Sequence, residues 1–195
     1  LILWDAGKLN ESAKLFELII DDITKRGEKF VVDKADYLLN YAGNLIEVAL
    51  DDSENGLNDV EYRAKGFLYS QKKAYEKGKA LYKEVIEIME NFSTTENPKL
   101  ARAYQEYADL LFRERKTSEA LEHFMKSKEN IIDDFYRYVD VVDKIAACNI
   151  ILGKFEIGVE VLDTLVGILV EYDVNDKETK FTLCNSLSAI LAPGN

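Results

Sequence analysis

Gly7-Lys8-Leu9, followed by Ser12, Phe16 and Ile19, returns as Gly153-Lys154-Phe155, followed by Gly158, Leu162 and Leu165. Two further copies lie between them: Gly66 and Tyr69 with Gly78, Tyr82 and Val85, then Ala108 and Leu111 with Ala120, Phe124 and Ser127. In each copy a small residue is followed four positions later by a large apolar one, and seven later by one no larger than that. Steps of four and seven place all three on one face of an α-helix. The small residue lets two helices approach closely, and the large one fills the groove between neighbours. The pattern therefore predicts a stack of paired helices.

Composition agrees. The 195 residues are 47% hydrophobic and 31% charged, with only ten glycines and two prolines. So little turn chemistry excludes a sandwich or barrel of many short strands, and collagen-like or linker-rich chains as well. Thirty-six acidic against twenty-five basic residues leave a net charge of −11 and a pI near 4.7. A field of that sign repels phosphate backbones and anionic headgroups, so no nucleic-acid partner is expected. No apolar run approaches the roughly 18 residues of a membrane span, so no membrane insertion is expected either. Leu1-Ile2-Leu3-Trp4 is too short, and too soon followed by Asp5, for a signal peptide. Cys148 and Cys184 sit in apolar helical surroundings and read as buried free thiols, which suits a reducing, cytoplasmic location.

Helical periodicity predicts nine helices. They run over about Asn10–Thr24, Asp33–Leu50 with Asp33 as N-cap, Asn58–Lys72, Tyr75–Asn91, Pro98–Arg113, Ser118–Ile132, Phe135–Leu152, Phe155–Tyr172 and Asn175–Leu191. Asn97-Pro98 is the clearest boundary, a capping side chain followed by a proline whose missing N–H costs nothing at the first helical position.

These spacings resemble the tetratricopeptide repeat, a helix–turn–helix unit with small residues at its eighth and twentieth positions. The anchors Ser12, Gly78, Ala120 and Gly158 are 66, 42 and 38 residues apart, longer than the usual repeat of about 34. Such long repeats, with Glu90-Asn91-Phe92 leading to Asn97-Pro98-Lys99-Leu100-Ala101, are most similar to the kinesin-light-chain style of the family. The resemblance implies an all-α, right-handed solenoid of antiparallel helix pairs, a tetratricopeptide-like superhelix forming one domain over 1–195. It further implies an irregular or degenerate repeat at 33–72. Leu3 and Trp4 read as the end of a first helix, so a fragment of a longer protein is expected.

Chemistry is sparse. His123, the only histidine, cannot build a metal cluster and makes a hydrolase triad improbable; it is expected at the surface. Asp51-Asp52-Ser53-Glu54-Asn55-Gly56 has the early ligands of a calcium loop, but the twelfth position is Tyr62 and Glu61 falls one residue early, about 100° away on a helix. No glycine-rich phosphate loop is present. No cofactor, no metal and no enzymatic activity are expected.

The resemblance places the working surface in a concave groove lined by first helices. Taking Gly43, Gly66, Ala108 and Ala146 as eighth positions, that lining includes Asn40, Asn44, Arg63, Phe67, Arg102, Gln105, Asp109, Arg113, Asp140 and Asp143, with Phe112 as a further apolar contact. Lys99 and Arg102 lie three apart rather than four, and Asp109 shares their stretch, which argues against a clamp for a terminal carboxylate. Acidity at Asp140 and Asp143 favours a basic or amphipathic protein segment. The expected function is a non-catalytic scaffold or adaptor binding a peptide or helix. A peptide-sensing regulatory domain, or a permanent part of a large assembly such as a cytoskeletal one, are the alternatives.

Overall fold

A computed structural model of the chain describes residues 8–50, 69–92 and 97–171. The chain divides into two compact units, Leu1–Ser93 and Thr94–Asn195. Among the described residues there are seven α-helices, one short 3-10 turn and no strand. The predicted helix at 175–191, the first part of that at 58–72, and the acidic loop 51–56 lie outside the described residues, as do Arg63, Phe67 and Cys184.

The first unit contains α1 (Leu9–Arg26), α2 (Val31–Leu50) and α3 (Tyr69–Phe92), with the 3-10 turn Glu28–Phe30 before α2. Its core stacks Phe16 of α1 on Tyr41 of α2, ring centres 5.9 Å apart, with Leu45 buried beside them. At the edge of that core the Tyr41 hydroxyl donates to Glu17 Oε1 at 2.6 Å. Lys77 Nζ of α3 donates to the same carboxylate and to the Tyr41 oxygen, each at 2.7 Å. One polar knot thus ties three helices, and its hydrogen bonds from Lys77 and Tyr41 hold the Glu17 carboxyl below its usual pKa.

Two expectations are corrected here. The helices predicted over 58–72 and 75–91 do not break between Lys72 and Tyr75: α3 runs through, because Lys72-Lys73-Ala74 offers good helix formers and no turn residue. Asp33 is not a cap but lies inside the first turn of α2, where its charge suits the helix dipole. α3 packs on α2, and a Cβ at Gly78 would lie 3.1 Å from the Ala42 carbonyl oxygen and 3.0 Å from Ile46 Cδ1.

The second unit holds α4 (Pro98–Arg113), α5 (Thr117–Glu129), α6 (Phe135–Ile151) and α7 (Phe155–Glu171). Asn97 caps α4 as expected, its side-chain oxygen accepting from Lys99 N at 2.9 Å and Leu100 N at 3.4 Å. Helices pack in sequence, α4 on α5, α5 on α6 and α6 on α7. Ala120, Phe124 and Ser127 are fully buried, and Ser127 Oγ donates to the Ala101 carbonyl at 2.8 Å. Gly158 repeats the Gly78 contact: its absent Cβ would lie 3.2 Å from the Ala146 carbonyl oxygen and 2.5 Å from Ile150 Cγ1. Ala42 and Ala146 are therefore equivalent. Their partner glycines follow 36 and 12 residues later, so the first pair carries a link longer by 24 residues.

α4 and α6 end in the same turn. Lys116 N reaches Leu111 O at 2.9 Å and Arg115 N reaches Phe112 O at 3.0 Å; Lys154 N reaches Asn149 O at 2.8 Å and Gly153 N reaches Ile150 O at 2.9 Å. This double bond pattern requires a left-handed residue after the cap. Gly153 supplies it freely at φ 76°, whereas Arg115 adopts φ 61° with a side chain in the way. Arg115→Gly is expected to stabilise the chain by about 0.5–1 kcal/mol, read as a thermal midpoint a few degrees higher. No gain, or a loss, would show that the arginine side chain is holding the turn by contacts of its own.

Candidate functional site

Five of the ten expected groove residues come together on the neighbouring faces of α4 and α6. Gln105 Nε2 donates to Asp140 Oδ2 at 2.6 Å, and its amide oxygen accepts from the Arg137 guanidinium. Arg137 also donates through Nε to Asp134 Oδ2 at 3.1 Å, while the same aspartate caps α6 through Arg137 N at 3.0 Å. One turn along, Asp109 faces Lys144 at 3.8 Å. Arg102 donates to Glu106 at 2.6 Å along α4, and the exposed Arg113 carries its charge toward Asp109. The result is a half-buried polar face of mixed charge in which most ionic groups already hold a partner.

Burial raises Asp109 from its ordinary 3.8 to about 6; Asp140 and Glu106 add to the rise, and Lys144 and Arg113 oppose it. A carboxyl raised in the folded state binds its proton more tightly there than in the unfolded chain. It therefore costs stability as pH rises from about 4 to about 6, and in full above that. Asp109→Asn is expected to stabilise the chain by about 1–2 kcal/mol at pH 7.5, discounted for its partial exposure, and by nothing at pH 4. Urea midpoints at the two pH values check it. An equal effect at both would assign the change to packing rather than charge.

The remaining expected residues are placed differently. Asn44 is fully buried and lines no surface. Its assignment to the groove counted from Gly43, whereas the close contact is made by Ala42, and a one-residue slip turns a side chain by about 100°. Counting from Ala42, the α2 residue equivalent to Arg102 and Asp140 is Asp36, which that reading missed. Asn40 is half-buried and donates to the Asp36 carbonyl at 3.0 Å. Asp143 is only 7% exposed, so the acidity expected there is withdrawn from the surface. Arg63 and Phe67 lie outside the described residues, and Phe112 is half-buried. Arg137, Lys144 and Glu106, the counter-charges of this face, were not singled out. Their spacing of three or four from Asp134, Asp140 and Arg102 was the available signal.

His123 is not at the surface as expected. It is half-buried, its ring edge-on to Tyr107 at 4.9 Å and tilted to Tyr104 at 5.7 Å. Cys148 is a buried free thiol whose pKa burial pushes up to about 11, the opposite of a reactive nucleophile. Among the described residues no group of three or more His, Cys, Asp or Glu side chains could hold a metal ion. Nor is any described helix long and apolar enough to cross a membrane.

Residues 59–130 match the tetratricopeptide repeat family. No curated protein matches the chain. Among solved structures it is similar to the nearly identical tetratricopeptide-like repeats of a Podosopora anserina protein named as a kinesin light chain. A singly substituted form of that protein is 13% identical with a TM-score of 0.50, over 93% of this chain and 86% of that one. The unsubstituted form is 15% identical with a TM-score of 0.49 and the same coverage. At such identities the likeness is one of fold. The all-α arrangement of paired helices expected from the small-residue anchors is shared with the first of these structures.

Proposed function

We propose that the chain, whose residues 59–130 match the tetratricopeptide repeat family, is a non-catalytic interaction module whose first helices offer a polar face to a peptide or helix of a protein partner. The observation that carries this reading is the Gln105 amide, held on one side by Asp140 and on the other by Arg137, which ties α4 to α6. An amide in that position can exchange either partner for a backbone group of an incoming segment without leaving a buried group unsatisfied. Arg102, Arg113 and Lys144 supply cations for its carboxylates, and Asp109 and Asp140 receive its amines. We place the module in the cytoplasm and treat both units as one repeat domain.

The test is a cross-linking pull-down with the wild-type chain beside an Arg102, Gln105, Arg113, Asp140→Ala variant, both checked for fold by circular dichroism. A partner captured by the first and lost by the second supports the reading. Retention of the same partner by the variant removes this face from the function.

A second reading rests on another observation. Phe155, Ile157, Val159 and Ile151, around the start of α7, are 48–60% exposed. Apolar exposure of this kind is characteristic of subunits held permanently in larger assemblies. If both chains capture one large complex, and the isolated chain aggregates unless Val159 and Phe155 are made polar, the structural role replaces the adaptor role.

A further inference from the structure

Most carboxylates of the α4–α6 face already accept a hydrogen bond. Glu106 takes one from Arg102 at 2.6 Å and Asp140 one from Gln105 at 2.6 Å, while Asp134 takes two from Arg137. Asp109 differs. Lys144 Nζ stands 3.8 Å from its Oδ1, within ion-pair range but beyond hydrogen-bond reach, and no other described donor is bonded to it. Arg113 acts on it through charge alone. The Asp109 side chain is 33% exposed, so it is partly stripped of water and still reachable. Both helices lie inside the series, with α3 before them in sequence and α7 after, so this is not an end left open.

The fold gains nothing from that carboxylate. Its own helix turns Glu106 and Arg113 toward it, and α6 turns Asp140, Lys144 and the Cys148 thiol. α5, packed on both helices, adds none of the charges that shift it. Two acids oppose two bases, burial dominates, and the ionised group costs stability at neutral pH. A charge kept at a cost to the fold, with both oxygens short of donors and open to the surface, is placed for a donor from outside.

We propose that Asp109 anchors an arginine side chain of the bound segment, and that the module releases such a segment in acid. This rests on the reading of the α4–α6 face as an interaction surface and adds what that surface selects. Two oxygens without donors suit the parallel N–H pair of a guanidinium. A lysine ammonium would only duplicate the point charge that Lys144 already brings. An incoming carboxylate would meet Glu106, Asp109 and Asp140 together. Because a guanidinium needs Asp109 ionised, its affinity is level above about pH 7 and falls below about pH 6. At pH 5 it should be about tenfold weaker than at pH 7.5, the ratio of ionised Asp109 at the two values. By the same linkage, saturating ligand should lower the pH at which Asp109 titrates.

The probe is N-acetylarginine amide, whose side chain is its only charge, beside the uncharged N-acetylcitrulline amide of nearly the same shape. NMR titrations of the intact chain are expected to show saturable shifts on α4 and α6 with the arginine amide. The dissociation constant should be on the order of 1–10 mM, as a single bidentate pair allows. The Asp109 carboxyl carbon should titrate lower in its presence, and the citrulline amide should do neither. Asp109→Asn should abolish binding and its pH dependence. That variant is expected to be the more stable chain, so its loss of binding cannot be unfolding.

The inference is overturned if the arginine amide gives no saturable shift, if citrulline binds as well, or if Asp109→Asn binds like wild type. Affinity that is flat from pH 7.5 to pH 5, or rises toward acid, overturns it too. Each of these outcomes leaves the interaction surface itself standing provided that the Arg102, Gln105, Arg113, Asp140→Ala variant loses a captured partner, so the two readings fail separately.

Discussion

Gly158→Val is expected to destabilise the second unit by about 3 kcal/mol, at the upper end of what overpacking costs. The first atom of any side chain there would sit 2.5 Å from Ile150 Cγ1 and 3.2 Å from the Ala146 carbonyl oxygen. The methylene is not the free end of its side chain, and the carbonyl belongs to the α6 backbone. Neither can retreat without moving the helix. Valine adds two methyl groups to this space and gains little helix propensity over glycine compared with alanine, so nothing offsets the clash. In a domain of this size the thermal midpoint should fall by about 6–12 °C. Ile150→Ala in the same chain removes the nearer obstacle and should recover about half of the loss, a coupling that a double-mutant cycle measures directly. If the double variant is as unstable as the sum of the singles, α6 and α7 do not meet at this glycine.

The same contact explains what could be read in advance and what could not. Small residues at Gly78, Ala120 and Gly158 were visible because helix periodicity exposes them, and their role in close approach follows from size alone. Which small residue they meet on the partner helix was not visible on α2, where Ala42 and Gly43 are adjacent and both fit. Only the position of Gly78 over the Ala42 carbonyl decides, and with it whether Asn44 points outward or, as found, inward. The pairing of α2 with α3 was hidden for a different reason. Their anchors are 36 residues apart, three times the distance in the α6–α7 pair, and periodicity carries no information across such a link. Turn chemistry was silent at Arg115, since a left-handed turn is announced by glycine and not by arginine. In the candidate site, the acidic and basic residues of α4 could be named from their register. Their partners on α6, Arg137 and Lys144, could not be assigned, because Arg137 bonds Gln105 across 32 positions and Lys144 faces Asp109 across 35.

Phe124→Ala carries the largest expected effect, a loss of about 3–5 kcal/mol. Phe124 heads the fully buried side chains among the described residues, and it lies on α5 between Ala120 and Ser127, which are also at 0% exposure. Removing the ring takes away its transfer energy and leaves a space that α4 and α6, packed on either side of α5, cannot both close. Phe124→Leu should cost only about 1–1.5 kcal/mol. The recurring element already carries leucine at this place, since Leu162 of α7 is the counterpart of Phe124 and is 5% exposed. Phe16 of α1 fills the same position at 7% exposure. Calorimetry on the three chains separates the possibilities. A large loss for alanine with a small one for leucine means that the position demands volume rather than aromatic character. That is the physical content of calling the four-residue step after each small anchor a repeat. Comparable losses for both would mean that the ring shape matters here. Phe124 would then be a feature of this helix pair alone, and the equivalence of α5 with α7, which matches Ser127 to Leu165, would lose one of its supports.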